Sequence, residues 1–171
     1  MTHASCRIAA LRSVSFFVPD LALAEDFFTR VWHLSVVERS PQALYLRATG
    51  ADHHVLALHL RPGPAAIRWV TLRARNLAAL DQVLTATVAA GGSVLRPIGP
   101  AEDPAGGTSV RVMDADGRAF EVVHGDGLHQ DVAQDADRPT RLAHVVLNSH
   151  RVEHTRAFLE QALDFSLADR T

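Results

Sequence analysis

The sequence predicts an α+β fold built from repeated strand-helix-strand-strand-strand (βαβββ) modules. Three observations carry this reading. An alternating apolar segment is followed at once by a helical stripe, three short strand-like runs come after that stripe, and the same order then returns further along the chain.

The first segment, Leu11 to Val18, places Val14, Phe16 and Val18 on one side and Ser13, Ser15 and Phe17 on the other, as a strand with two unlike faces does. Pro19-Asp20 interrupts it. Asp20 can cap a helix, and Leu21, Ala24, Phe27, Phe28 and Val31 then recur at helical spacing to about Trp32. Strand-like runs at Leu34 to Glu38, Ala43 to Ala48 and His54 to Leu60 are parted by the turn formers Ser40-Pro41 and Gly50-Ala-Asp52. The second module opens with a strand at Ile67 to Ala74. Its helical stripe of Leu77, Leu80, Val83, Leu84 and Val88 is stopped by Gly91-Gly92. Its last strands are expected at Val94 to Pro97, Thr108 to Met113 and Ala119 to His124, with Asp114-Ala-Asp-Gly117 as the hairpin between the final two. A linker rich in Gly, Asp, Gln and Pro follows.

Past the linker the first pattern comes back without a gap. Leu11, Val14, Phe27, Ser35 and Arg39 meet Leu142, Val145, Phe158, Ser166 and Arg170, an offset of 131 (142 − 11). The middle copy sits at a shift of 56 (69 − 13), which brings Trp69 to the position of Ser13. Three modules therefore begin and two are complete. The expected domains are residues 1–127, two modules forming one unit, a linker at 128–140, and the start of a third module at 141–171.

Composition removes several function classes. The 17 basic residues are all arginine, so lysine-based Schiff-base chemistry and a lysine-bearing phosphate loop are absent. The single cysteine, Cys6, excludes intrachain disulfides and cysteine-rich zinc sites. A net charge of -2 with no arginine cluster argues against nucleic acid or an anionic membrane as partner, and no apolar run is long enough to span a bilayer. Small-molecule chemistry or protein contacts remain, and a cytoplasmic location is expected.

Paired βαβββ modules, Leu142-Ala-His-Val-Val-Leu-Asn148 and Asp114-Ala-Asp-Gly-Arg-Ala-Phe-Glu-Val-Val123 together resemble the vicinal oxygen chelate superfamily, which includes glyoxalases, bleomycin-resistance proteins and extradiol ring-cleaving dioxygenases. The resemblance implies a curved mixed sheet forming a cup, with helices outside and a divalent metal held by first-strand His or Gln and last-strand Glu. Ser13 and Trp69 stand at those first-strand positions, and Val55 to Leu58 offers no counterpart to Glu121, so the 1–127 unit is expected to be metal-free.

This arrangement is similar to the N-terminal part of a two-domain extradiol dioxygenase, an oxidoreductase of aromatic compound catabolism. Its metal-free domain is followed by a catalytic domain whose first strand supplies a His ligand. His144 occupies that place. The resemblance implies Fe(II), with Mn(II) as the other candidate, a catechol-type substrate and dioxygen, and a homo-oligomer is expected. Because the chain stops at Thr171, the active site is expected to be incomplete. The competing readings are a glyoxalase-like metal-dependent isomerase or lyase and a metal-free binding module of the bleomycin-resistance type. Glu121 reads as a structural carboxylate, His53-His54 as strand neighbours facing opposite ways, and His150 and His154 as exposed surface. Phe17, Trp69 and Arg73 read as filling on the cup face, and the arginines show no obvious grouping.

Overall fold

The computed structural model describes residues 6–133 and 135–169; the repeat partner Arg170 and the final Thr171 lie outside them. The first module comprises β1 (Ile8–Val18), α1 (Leu21–Arg30), β2 (Ser35–Arg39), β3 (Ala43–Arg47) and β4 (Leu56–Leu60). The second comprises β5 (Ala66–Ala74), α2 (Ala78–Ala89), β6 (Ser93–Pro100), β7 (Thr108–Met113) and β8 (Ala119–His124), and a further helix, α3, spans Val152–Leu163. All eight strands join one mixed sheet in the order β2-β3-β4-β1-β5-β8-β7-β6.

The register makes the sequence repeat visible as a pseudo-two-fold. The central strands β1 and β5 run antiparallel with Val14 opposite Val70, Ser13 opposite Thr71 and Ser15 opposite Trp69, as a shift of 56 requires. Each pairs in parallel with the last strand of its own module, Val14 with Leu56 and Val70 with Phe120. The helix caps obey the same shift. Asp20 accepts from the Leu23 amide at 2.9 Å, and Asn76, 56 positions on, accepts from the Ala79 amide at 2.9 Å. Each cap satisfies one of the amide donors that a helix start leaves without an intrahelical partner.

Two register slips in the β1–β5 ladder also obey it. Between Leu11 and Ser13 the extra residue is Arg12, and on β5, opposite Ser15 and Phe16, it is Arg68. A bulge inserts a residue that leaves strand alternation and re-aims its side chain. Simple alternation would send both arginines to the helix face, among Val14, Phe16 and Val70; instead Arg12 bonds with Ser13, His54 and Asp103, and Arg68 lines the opposite face.

The core lies between the sheet and the helices in two clusters. One gathers Val14, Leu44, Leu46, Leu56 and Leu58 beneath Leu21, Ala24 and Phe28 of α1. The other gathers Val70, Leu72, Val110, Val112, Phe120 and Val122 beneath Leu80 and Val83 of α2, and also takes in Phe158, Ala162 and Leu163 of α3. The hairpin Asp114-Ala-Asp-Gly117 helps to hold α3. Asp114 accepts from the amides of Asp116 and Arg118, and the Arg118 guanidinium, gripped by Asp114 at 2.7 Å, donates to Asn148 O and Thr155.

Three details depart from expectation. β4 begins at Leu56, which leaves His53-His54 in the preceding loop rather than at a strand start. There they turn toward each other, with their Nδ1 atoms 3.1 Å apart, because the alternation that would separate them applies only within a strand. β6 runs on to Pro100, three residues beyond the expected end. Residues 142–148 form neither helix nor strand and join no ladder among the described residues. β1 and β5 are already paired on both edges, so this segment lies over the helix side of the sheet, where Leu142, Val145 and Leu147 pack against the two clusters.

Candidate functional site

The concave face holds a cavity of about 220 Å³ lined from both modules, by Ser13 and Ser15 of β1, Tyr45 of β3, Ala57 and His59 of β4, Arg68, Trp69 and Thr71 of β5, Arg111 of β7 and Glu121 of β8. Alternation along each strand puts these residues opposite the core-facing set, except Arg68, which the bulge on β5 brings there. The β6–β7 loop closes one side with Glu102 and Asp103.

Arginines dominate the electrostatics. Arg111 donates to Glu121 at 2.9 Å and to Glu102 at 3.2 Å. The guanidiniums of Arg68 and Arg111 lie over the ring of Trp69, 3.7 and 3.8 Å from its centroid. Arg12 is completely buried, held by Asp103 at 2.8 Å and facing Asp126 at 3.3 Å. Asp126 in turn accepts from Arg73, which also binds Asp52, and so ties β5 to the segment after β8. Burial pushes the Glu121 carboxyl above the usual carboxylate range, although Arg111 pulls the other way. Burial, with Arg12 beside it, holds His54 well below the ordinary histidine range, so His54 accepts from Arg12 through Nε2 as a neutral imidazole. His59 is lowered to about 4, first by burial and then by Arg68 and Arg111.

These residues do not fit a metal ion. Ser13 and Trp69 are equivalent under the pseudo-two-fold, as are Ala57 and Glu121, and of the four only Glu121 has a ligating side chain of the required kind. That carboxylate is already committed to Arg111, and a divalent cation beside it would meet guanidinium charge. Among the described residues no group of three or more His, Cys, Asp or Glu could hold a metal.

His144 lies elsewhere. It is exposed and borders two hollows on the helix side, one with Ile8, Leu72 and Leu159 and the other with Val14, Phe28 and Trp32, so the structure does not bring it together with Glu121. His150 and His154 are exposed. Trp69 belongs to the cup lining as expected, Phe17 lies near the cup beneath Arg61 and Arg68, and Arg73 is engaged in ion pairs rather than in packing. The convergence of Arg12, Arg68 and Arg111 was missed in the sequence. Alternation along Thr108–Met113 could have placed Arg111, since Val110 and Val112 face the core, but no pattern announces the bulges that aim the other two.

The comparisons with known proteins agree with this fold. The chain is similar to the Mn(II)-bound glyoxalase from Novosphingobium aromaticivorans, with 27% identity and a TM-score of 0.87 over 94% of this chain and 54% of that one. It is also similar to native homoprotocatechuate 2,3-dioxygenase from Arthrobacter globiformis, with 26% identity and a TM-score of 0.79 over 92% of this chain and 50% of that one. A variant of the Brevibacterium fuscum dioxygenase in complex with HPCA shares the fold at 23% identity and a TM-score of 0.82 over 91% of this chain and 44% of that one. The chain thus spans about half the length of the solved structures it matches. A search of curated proteins found no match. The family model described as "Glyoxalase/Bleomycin resistance protein/Dioxygenase superfamily" matches residues 10–122, two thirds of the chain and both complete modules, and the chain belongs to that superfamily.

Proposed function

We propose that this chain is the N-terminal part of an Fe(II)-dependent extradiol ring-cleaving dioxygenase acting on a catechol-type diol in the cytoplasm, as a homo-oligomer. In this reading residues 1–127 are the metal-free domain, 128–140 the linker and 141–171 the start of the catalytic domain, with His144 as its first metal ligand. The observation that best supports it is the reach of the structural likeness. Coverage of 91–92% of this chain on the dioxygenases cannot be attained by the eight-stranded sheet alone, so the likeness extends beyond β8, yet it accounts for only half or less of those proteins.

A bound Fe(II), or Mn(II), would supply the redox chemistry with dioxygen. This chain's own residues do not complete such a centre, since His144 is one imidazole and a catalytic ion takes about three protein ligands. What the chain offers is support: Val145 and Leu147, packed against the core, anchor the segment that carries His144.

One observation favours a second reading, a glyoxalase-like metal-dependent isomerase or lyase, because the likeness to the Mn(II)-bound glyoxalase covers 94% of this chain at a TM-score of 0.87. Oxygen uptake separates the two. Given Fe(II) and a panel of catechols, the full polypeptide of which this chain is part is expected to consume one dioxygen per ring opened. Metal-dependent isomerisation of a hemithioacetal without oxygen uptake would overturn the dioxygenase reading.

A further inference from the structure

The two bulged arginines, Arg12 and Arg68, are equivalent under the shift of 56 and are aimed into the same cup, but their surroundings differ. Arg12 has Asp103 at 2.8 Å and Asp126 at 3.3 Å. Arg68 is half-buried, stacked at 3.7 Å on Trp69, and has no carboxylate within ion-pairing distance among the described residues. The carboxylates that line the cavity are already held: Glu121 by Arg111, Glu102 by Arg111 and Arg96, and Asp103 by Arg12. A half-buried guanidinium without a paired anion is under-compensated, and the pairing within the cup leaves Arg68 as the lining arginine that no carboxylate holds.

A second, independent observation lies beside it. The Ser15 hydroxyl, on a residue 2% exposed, lines the same cavity and has no hydrogen-bond partner. The Tyr45 hydroxyl, the Thr71 hydroxyl and the His59 ring border the cavity as well, and none makes a hydrogen bond among the described residues. Buried polar groups are rarely left unsatisfied, so the buried Ser15 hydroxyl, in the same cavity as an arginine that no carboxylate holds, points to a ligand.

We propose that the cup of the first two modules is a metal-free site for a small carboxylate, whose anionic group pairs with Arg68 and whose further oxygen bonds Ser15 and its neighbours Thr71 and Tyr45. Arg68 offers a planar fork that matches a carboxylate bidentately. The hydroxyls suit a hydroxyl or carbonyl oxygen on a short body, as in a 2-hydroxy or 2-oxo acid. At about 220 Å³ the cavity falls below the roughly 300 Å³ at which drug-sized sites begin. Trp69 is 9% exposed and already stacked by two guanidiniums, which leaves little of its ring for an aromatic ligand. His59 stays neutral down to about pH 4 and so accepts a hydrogen bond from a ligand hydroxyl without adding charge. The site stands whichever reading of the whole polypeptide is correct.

The test is calorimetric titration of the full 171-residue chain with sodium pyruvate and sodium lactate as probes, sodium phosphate and sodium chloride as anion controls, and tryptophan fluorescence as a second readout. Saturable binding of one carboxylate per chain is expected, with phosphate and chloride much weaker. Arg68→Met should weaken carboxylate binding about tenfold or more, the usual worth of a charge-assisted hydrogen bond. Arg61→Met, at an exposed arginine over Phe17, should change it less than about twofold. Ser15→Ala should weaken binding while leaving the ligand-free thermal midpoint unchanged or raised, because it removes an unsatisfied buried hydroxyl. No saturation by either carboxylate, phosphate binding as tight as pyruvate, or full affinity in a folded Arg68→Met or Ser15→Ala chain would each overturn the proposal.

Discussion

Turned about the axis at Val14 and Val70, Leu56 falls on Phe120 and Leu58 on Val122, apolar side chain on apolar side chain beneath the helices. The same rotation sets Ala57 on Glu121 and Ser13 on Trp69, small side chains against large or charged ones across the cup. Burial demands much the same of both modules on the helix face, whereas the concave face is free to differ and carries the chemistry. The helices differ too. α1 buries no residue completely, and Phe27 remains 45% exposed, while α2 buries Ala79, Leu80, Val83 and Thr87 because α3 packs against it.

The largest expected effect falls on the face where the modules agree. Phe120→Ala and Leu56→Ala, each removing a buried side chain at equivalent positions, should lower stability by about 3–5 and 2–5 kcal/mol in urea unfolding. A loss under about 1 kcal/mol for Leu56→Ala would break the claimed equivalence of the two cores.

Next comes the arginine pair. Arg12→Met leaves Asp103 and His54 without their shared partner, while Asp126 keeps Arg73, and should cost about 3–5 kcal/mol. Arg68→Met strands no acid in the chain and should cost no more than about 1 kcal/mol, the worth of its contact with Trp69. Equal losses in the two variants would show that Arg68 has a structural role like that of Arg12. The helix caps should match each other, with Asp20→Ala and Asn76→Ala each lowering the urea midpoint by the equivalent of about 1 kcal/mol.

The smallest signal is in the pH dependence, where the two half-cups act with opposite sign. His59 titrates at about 4 when folded and near 6.5 when unfolded, so between those values the unfolded chain binds the extra proton and stability falls with acidification. The folded Glu121 carboxyl titrates above its ordinary 4.5, so across that window the folded chain binds the extra proton and stability rises as pH falls. His59→Gln should therefore flatten the acid-side loss of stability, and Glu121→Gln should steepen it. Unfolding midpoints measured from pH 7 to pH 4 for the parent and both variants check the signs.

Much of the fold was legible because its signals are local. Alternation in Leu11 to Val18, helical spacing from Leu21, the Asp20 cap and the Gly91-Gly92 stop each act through neighbouring residues, and the repeat showed that the modules were related. The cup was only half legible. Trp69 followed from alternation and Glu121 from the family resemblance, but Arg12 and Arg68 reach the cavity through bulges that exist only in the pairing of β1 with β5. His54 is buried by a loop whose path depends on Arg12 and Asp103, a contact spanning much of the chain. The segment around His144 read as a strand from its pattern, yet pairing requires a free sheet edge, and the strands beneath it have none.

The central claim is that the first two modules support rather than bind the metal, and that His144 binds it. Iron content and ring-cleaving activity of the full polypeptide, measured in parallel for His144→Ala and Glu121→Gln, test it directly. The account predicts that His144→Ala loses both while still folding and that Glu121→Gln keeps both. Iron retained in His144→Ala, or lost in Glu121→Gln, would contradict it.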